Sequence, residues 1–499
     1  MSSNVNSPRD VYAALDMGSN SFHLIIARET ENGIQVVDRY KESVRLAEGM
    51  STSRSISNSA LKRTQSCLQR ISQRIRNLPK QNVRIVGTAA LRDARNRDRF
   101  IDTAEEILGH PIEVISGREE ARLIHLAVSY FQESGDSSRL VVDIGGGSTE
   151  VIFGRSFRPR IAESLKMGCV LVSDQFFPDG VITRERLENA IQHGEQELEV
   201  IEQTLLSQNW QEAIGTSGTI RAVLVAIQSL YPNTTEITIK GLQALQKRLI
   251  SLGHIQRFTE LNVSKNRTPV FAGGVAILSA VFASLKIKNM NLSPDSLREG
   301  LLHDLLGRVH DEDIREQSVR TLMSRYDIDV HHAENVSKTA IALFDQVQEV
   351  WELGEEGDKQ LLNWAALLHE IGMNISHSGY HKHGSYLLNN LDMPGFSLTE
   401  QHYVAVLVQA HRRKYPSFIV SSSDRLAKLS ILLRIAVLLR RNRSSDTLPT
   451  PKITPNSSEL VVSMQASWIE EHPLTLLDFE QEVQFLESAP IQLRLEASE

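Results

Sequence analysis

Residues 15–26 read LDMGSNSFHLII and residues 142–153 read VDIGGGSTEVIF. Aligned position for position, the two share Asp, Gly, Ser and Ile, and both end in an apolar, β-favouring run. Each predicts a β-hairpin, with Asp16 and Asp143 at the ends of strands that the apolar YAAL and LVV would bury. Gly18, and Gly145, Gly146 and Gly147, let the backbone take conformations closed to other residues. Such turns aim successive N–H groups into one concavity, which holds phosphate without help from side chains. Ser19, Asn20 and Ser21, like Ser148 and Thr149, add short donors. Tight turning alone would explain a single copy. Two copies, with a third Gly turn GTSGT at 215–219 (Ser217, Gly218, Thr219), point to facing cups that grip neighbouring phosphates.

Outward from these turns the chain divides by pattern. Residues 11–27 and 34–38 read as strands, 57–78 as a helix, and VRIVGTAALR as strand, turn and helix, a pattern that IEVISGREEARLIHLAV repeats. A second α/β segment opens at Leu140 and includes AIGTSGTIRAVLVAI; beyond Val309 segments such as LLNWAALLHEIG have helical spacing. After TLPTPKITP, short alternating pieces suggest a small β-containing module. The expected domains are 1–126 and 127–308, both α/β, then a helical 309–445 and a small α+β 446–499.

A chain of 499 residues is too long for one core, and 41% hydrophobic with 23% charged residues is ordinary for a soluble globular protein. Cys67 and Cys169 are its two cysteines, which excludes a disulfide scaffold or a four-cysteine zinc site. The N-terminus MSSNVNSPRDVY has no apolar signal core. The uncharged Thr268–Leu285 stretch reads as a buried helix, being short of the ~20 strongly apolar residues that a membrane span needs. The expected location is the cytoplasm, with at most peripheral membrane association. The net charge of −7 is unevenly spread: Ala410–Arg443 carries nine Lys and Arg against Asp424 alone, and Ser444 onward carries ten acids against two bases. This is either solvated helix faces before an acidic module or a basic wall that attracts a polyanion. The basic stretch lacks interleaved aromatics for stacking bases, so no nucleic-acid partner is expected.

The turns differ where chemistry would need them to. His23 stands where the second copy has Glu150. A carboxylate beside a phosphate grip repels unless it holds a metal or takes a proton, and Asp143 and Glu150 could do both with an oxygen-preferring cation such as Mg²⁺. An outward-facing strand residue is the other reading of Glu150. In ISGREEARL, Ser116 and Glu119 have capping-box spacing, which leaves Glu120 as the unassigned acid in a first helical turn, where the helix dipole favours its ionised form. Glu120 is the candidate general base. Arg118 and Arg122 flank it, to touch phosphate or balance charge, and Arg92 is a candidate for bidentate phosphate contact.

LDMGSNSFHLIIAR, GTAALRDA, VISGREEARLI, VVDIGGGSTEVIFG and GTSGTIRA resemble the signature blocks of the exopolyphosphatase and guanosine pentaphosphate phosphatase family, nearly end to end. MGCV, FPDGVI and HEIGMNISHSGYHKHGSYLLNNLDMPGF look closer to bacterial exopolyphosphatase. The resemblance implies two acetate-kinase, sugar-kinase and actin-like (ribonuclease H-like) α/β domains, an all-α HD-like domain and a small fourth domain, usually in a homodimer. It implies catalytic roles for Glu120 and Glu150, metal binding at Asp143 and Glu150, and Mg²⁺ as cofactor, with a monovalent cation such as K⁺ as an activator. The implied reaction is attack of water on the terminal phosphorus of inorganic polyphosphate, with the Gly145–Ser148 amides holding the phosphoryl group and Arg92 stabilising it in flight. Hydrolysis of guanosine pentaphosphate to the tetraphosphate shares this chemistry and is the alternative; an ATP-gated actin-like binding protein is the alternative of another class. In SPDSLREG, at 293–300, Asp295-Ser296 replaces the family's usual Gly-Ala, while Arg298, a phosphate contact by resemblance, is retained.

LLHEIG resembles the His-Asp doublet of HD phosphohydrolases, but the doublet is His369-Glu370. His377, His381, His383 and His411 could complete a metal site; the other reading is a degenerate, polyanion-binding remnant. That remnant would end in the basic residues Arg412, Arg413, Lys414, Arg440, Arg441 and Arg443, which would hold a long polyphosphate chain by effective concentration.

Overall fold

A computed structural model describes residues 11–30, 33–48, 50, 54–131, 137–310, 313–353, 357–420, 424–443, 451–456 and 459–498. The polar segment before residue 11 and the expected boundary at 445/446 lie outside the described residues. The chain forms two compact units, Met1–Asp313 and Ile314–Glu499.

In the first unit, β1 (Val11–Met17), β2 (Ser21–Thr30), β3 (Gly33–Ser43), β4 (Val83–Gly87) and β5 (Glu113–Val114) form a sheet of order β3-β2-β1-β4-β5. β1, β2 and β3 pair antiparallel, whereas β4 runs parallel to β1 and β5 to β4. The second sheet contains β6 (Ser138–Ile144), β7 (Thr149–Arg155), β8 (Arg158–Leu165), β9 (Glu212–Thr216), β10 (Ile237–Thr238) and β11 (Asn289–Leu292), in the order β10-β11-β9-β6-β7-β8. Read from β8 inward it repeats the first: an antiparallel ribbon, then parallel strands, with β10 added at the edge. The repeated dozen residues thus head two copies of one topology, the doubled actin-like arrangement.

Parallel neighbours need long crossovers, and helices supply them. Between β3 and β4 runs the Asn58–Ile75 helix, whose Ser57 cap accepts from Ala60 N and whose Ala60, Thr64, Cys67, Leu68, Ile71 and Ile75 form one buried stripe. The Gly117–Phe131 helix, within which the expected 126/127 division falls, buries Ala121, Leu123, Ile124, Ala127 and Val128. The Leu297–Val309 helix opens on a capping box between Ser296 and Glu299. Its Leu297, Leu301, Leu302 and Leu305 return to a core shared with Tyr12, Ala14, Ile25, Val86 and Ile124. Each such side chain contributes roughly 1.5–3 kcal/mol by leaving water. Gly300 makes this contact possible, because a Cβ there would overlap the Leu123 carbonyl oxygen. The Thr268–Ser284 helix is buried from Val270 to Phe282 as core of the second sheet, and among the described residues no helix is long and apolar enough to cross a membrane.

The second unit is mainly helical, including Val330–Val347, Asp358–Leu368, Tyr380–Asn390, Leu398–Ala410 and Asp424–Leu439. It ends in a sheet of β12 (Lys452–Pro455), β13 (Glu459–Gln465) and β14 (Gln492–Ser498). Helices and sheet share one core, in which Leu343, Trp364, Leu407 and Leu433 lie with Ile453, Val462, Phe479 and Leu493.

Candidate active site

The two Gly turns face each other. A Cβ on Gly146 would stand 3.0 Å from Ser19 Cβ and 3.4 Å from the Asn20 nitrogen, and one on Gly147 would stand 3.1 Å from Ser19 Oγ. Each turn is held from behind by backbone. Val44 N and Arg45 N donate to Asn20 O at 3.1 and 2.9 Å; Cys169 N and Val170 N donate to Gly145 O and Gly146 O at 2.9 and 3.0 Å. The third turn opens the Ser217–Leu230 helix with Ser217 at φ +80°, a left-handed conformation uncommon for non-glycine residues.

A cleft of about 370 Å³ lies between them. It brings together Asp16, Gly18, Ser19, Asn20, Ser21, Glu120, Asp143, Gly145, Gly146, Gly147, Ser148, Ser217, Gly218, Thr219 and Arg298. Arg92 and Glu150 stand outside its lining, one layer behind. Arg92 donates to Glu120 Oε2 at 2.7 Å and to Ile115 O at 3.1 Å, so the guanidinium expected on phosphate grips the candidate base instead. Glu150 is buried and accepts from Ser164 Oγ at 2.7 Å. Of the flanking arginines, Arg118 pairs with Glu163 at 2.9 Å and Arg122 with Glu119 at 2.8 Å and with Asp304. Both balance charge away from the cleft.

Strand register explains these positions. Opposed residues on neighbouring strands share a face. Asp16 opposes His23, which opposes Lys41; Asp143 opposes Glu150, which opposes Ser164. Lys41, Arg221 and Arg267 also line the cleft; Arg221 lies within the GTSGTIRA block, whereas Lys41 and Arg267 fall outside the quoted motifs. Lys41 could be found by extending the His23 row, but a β-bulge between Ile26 and Ala27 hides the register. Arg267 lies against Gly218, where a Cβ would overlap its guanidinium, and donates to Thr219 Oγ1 at 3.1 Å. Arg298 meets His23 Nδ1 at 3.0 Å and donates to Glu299 Oε1 at 2.7 Å.

The cleft is electrically divided. On its acidic side, burial raises the Asp16 carboxyl well above the usual range, with Glu120 and Asp143 adding to the effect. Burial pushes Asp143 up to about 7 although Ser296 Oγ donates to it at 2.9 Å. Glu150 is also raised, by burial and then by Glu120 and Asp143. In the same cleft, burial together with Arg267, Arg298 and Arg221 brings the Lys41 ammonium down to about 8. Crowded carboxylates beside crowded cations suit a metal and a polyanion bound side by side. Asp16 Oδ1 is buried without a hydrogen-bond partner, and the donors are all oxygen, so a hard cation fits Asp16 and Asp143. Among the described residues, the one trio of His, Cys, Asp or Glu with ligand atoms within 4.8 Å of one another is instead in the second unit: His332, His369 and Glu370.

The basic residues of the second unit are separately engaged. Arg412 lies over the Tyr380 ring, Arg440 donates to Thr339 Oγ1 at 3.0 Å, Arg441 pairs with Asp478, and Arg443 pairs with Asp329 and Glu370. Arg413 and Lys414 are exposed. Of the four downstream histidines, His411 lies nearest the doublet, its ring 5.4 Å from that of His369, while the trio takes His332 from upstream.

Comparison with known proteins adds the following. The profile described as the Ppx/GppA phosphatase family matches residues 25–309, and the one described as Ppx/GppA phosphatase, domain III, matches residues 314–483. The guanosine-5'-triphosphate,3'-diphosphate pyrophosphatase of Aeromonas hydrophila is 36% identical over 484 residues, spanning 96% of this chain and 97% of that one. Its namesake from Vibrio campbellii is 37% identical over 94% and 95% of the two chains. Among solved structures, an exopolyphosphatase from Cytophaga hutchinsonii shares the fold at a TM-score of 0.55 and 23% identity, over 60% of this chain and 98% of that one. This chain, whose two full-length relatives above carry the nucleotide pyrophosphatase name, thus holds the blocks that look closer to exopolyphosphatase. Their Met167, Phe177, Ile182, Ile371 and Leu388 are buried, so much of what these blocks record is packing.

Proposed function

The chain belongs to the Ppx/GppA phosphatase family and is a phosphoanhydride hydrolase; from that premise we propose that its substrate is guanosine 5'-triphosphate 3'-diphosphate, from which it removes the terminal 5' phosphate. The observation that carries the choice over inorganic polyphosphate is identity of 36–37% along nearly the whole chain with proteins named for that nucleotide. The cations Lys41, Arg221 and Arg267, beside the turns, give a doubly phosphorylated nucleotide additional anionic contacts.

In this reading the amides of Gly145 to Ser148 and of Gly18 to Ser21 hold successive phosphates. Glu120 takes a proton from water as the oxygen attacks the terminal phosphorus in line, and the bond to the bridging oxygen breaks, releasing orthophosphate and the tetraphosphate. Arg92 orients the Glu120 carboxylate, and Glu150 helps orient the water from behind. Asp16 and Asp143 would hold Mg²⁺, which supplies charge neutralisation to the phosphates. The test is orthophosphate release by the purified chain with Mg²⁺, on guanosine pentaphosphate and on long polyphosphate side by side. A higher kcat/KM on the nucleotide is expected; the reverse order would replace this reading with exopolyphosphatase.

A further inference from the structure

We propose that the second unit holds a site for a borderline transition-metal dication, built from His332 Nε2, His369 Nε2 and a carboxylate oxygen of Glu370. The three come from two places in the chain. His332 lies in the first turn of the Val330–Val347 helix, His369 caps the end of Asp358–Leu368, and Glu370 follows it. Both imidazole nitrogens stand 3.9 Å from Glu370 Oε1, and all three ligand atoms lie within 4.8 Å of one another. Bonds of ~2.0–2.2 Å in a tetrahedral site bring donor atoms to about 3.4 Å apart, so closing the trio on an ion takes a contraction of well under a side-chain length.

His369 carries the argument. Its Nδ1 donates to Ala366 O at 2.7 Å, which fixes the proton there and leaves a lone pair on Nε2. That Nε2 is fully buried and has no hydrogen-bond partner. A backbone carbonyl behind one ring nitrogen and an unmet lone pair on the other is the arrangement that metal-bound histidines use. His411 is likewise anchored to Val408 O at 2.6 Å, but its Nε2 faces the Tyr380 hydroxyl at 3.4 Å, so it borders the site without joining it.

Without an ion, a guanidinium supplies the positive charge. Arg443 donates to Glu370 Oε1 at 2.5 Å and to Asp329 at 3.2 Å. Its side chain is 42% exposed, whereas that of Glu370 is 7% exposed, so Arg443 stands between the trio and solvent. An arriving ion displaces Arg443 from Glu370, and Asp329 keeps it. Two imidazoles and one carboxylate favour Zn²⁺ and its neighbours over Mg²⁺ or Ca²⁺, which prefer oxygen.

The test uses the full chain, stripped with chelator, then titrated with Zn²⁺ in excess Mg²⁺ and followed calorimetrically, with the visible spectrum of Co²⁺ as a second readout. The wild type should bind one Zn²⁺ per chain and give a four-coordinate Co²⁺ spectrum. H332N and E370Q should each weaken Zn²⁺ by at least ~10-fold, the scale at which even outer-shell changes are felt. R443Q, which removes the competing cation, should bind several-fold tighter; a purely structural Arg443–Glu370 pair would give no such gain. Zn²⁺ binding that is absent from the folded wild type overturns the proposal. So does binding that survives H332N and E370Q but vanishes in D143N, which would place the ion in the cleft.

Discussion

Glu120 and Glu150 adjoin the same cleft, and their partners divide the work between them. Glu120 has the Arg92 guanidinium at 2.7 Å, which fixes the direction in which its carboxyl points. Glu150 has a serine hydroxyl at 2.7 Å, and burial raises its carboxyl well above the usual range. Glu120→Gln is expected to lower kcat by ~10²–10⁴-fold with KM little changed, since the amide keeps the shape and loses the basicity; single-turnover phosphate release measures it, and an unchanged rate would remove Glu120 as base. Asp143 yields a pH prediction. Its ordinary value of 3.8 rises to about 7 in the fold, so between those values the folded chain binds more protons than the unfolded one. The corresponding stability is present below the lower value and lost as pH rises through the upper one. In chelator, the melting temperature of the wild type should therefore fall more steeply over this window than that of Asp143→Asn. Mg²⁺ should narrow the difference by satisfying the carboxylate. Equal slopes would contradict the assignment. Glu120 was legible in the sequence because first-turn acids have recognisable spacing. The destination of Arg92 was not, because a guanidinium reaches far enough to meet either a ligand or a neighbour, and only the fold decides which.

At the scale of elements, the hairpins were legible and their supports were not. A strand, a Gly turn and a second strand are local, so their pattern survives in a dozen residues. Gly300 is different: its lack of a side chain matters only because a helix residue 177 positions earlier, Leu123, brings its carbonyl there. Arg84, Arg122 and Arg308 likewise converge on Asp304, burial opposing the ionised carboxylate while the three cations hold its pKa far down. Gly300→Ala should push the Leu297–Val309 helix off the Gly117–Phe131 helix and cost about 1–3 kcal/mol, as overpacking does. Urea unfolding would measure the loss, and a stability within error of wild type would show that the helices give way easily. Because Arg298 and Glu120 ride on these two helices, kcat/KM should fall with it even where the chain remains folded.

At the scale of the molecule, two units have two sets of core residues: one from Tyr12 to Leu306, the other from Val319 to Leu493. Leu433→Ala, in the second set and fully buried, should lower stability by ~2–5 kcal/mol. Calorimetry should assign that loss to a transition that Mg²⁺ and substrate do not raise; a loss confined to the ligand-sensitive transition would refute this division. The change from strand-like to helical pattern near residue 309 marks the passage between units in the sequence. The shared core of helices and β12–β14 was hidden, because alternating strand residues give their own inward face and not what covers it. The return of Leu297–Val309 to the first sheet also bears on biosynthesis. A nascent chain interrupted before residue 297 has both Gly turns but lacks the leucines that cover Tyr12, Ala14 and Ile25. The earliest strands to leave the ribosome must therefore wait, partly bare, for more than two hundred and fifty residues of later translation, which makes this stretch a natural client for a chaperone.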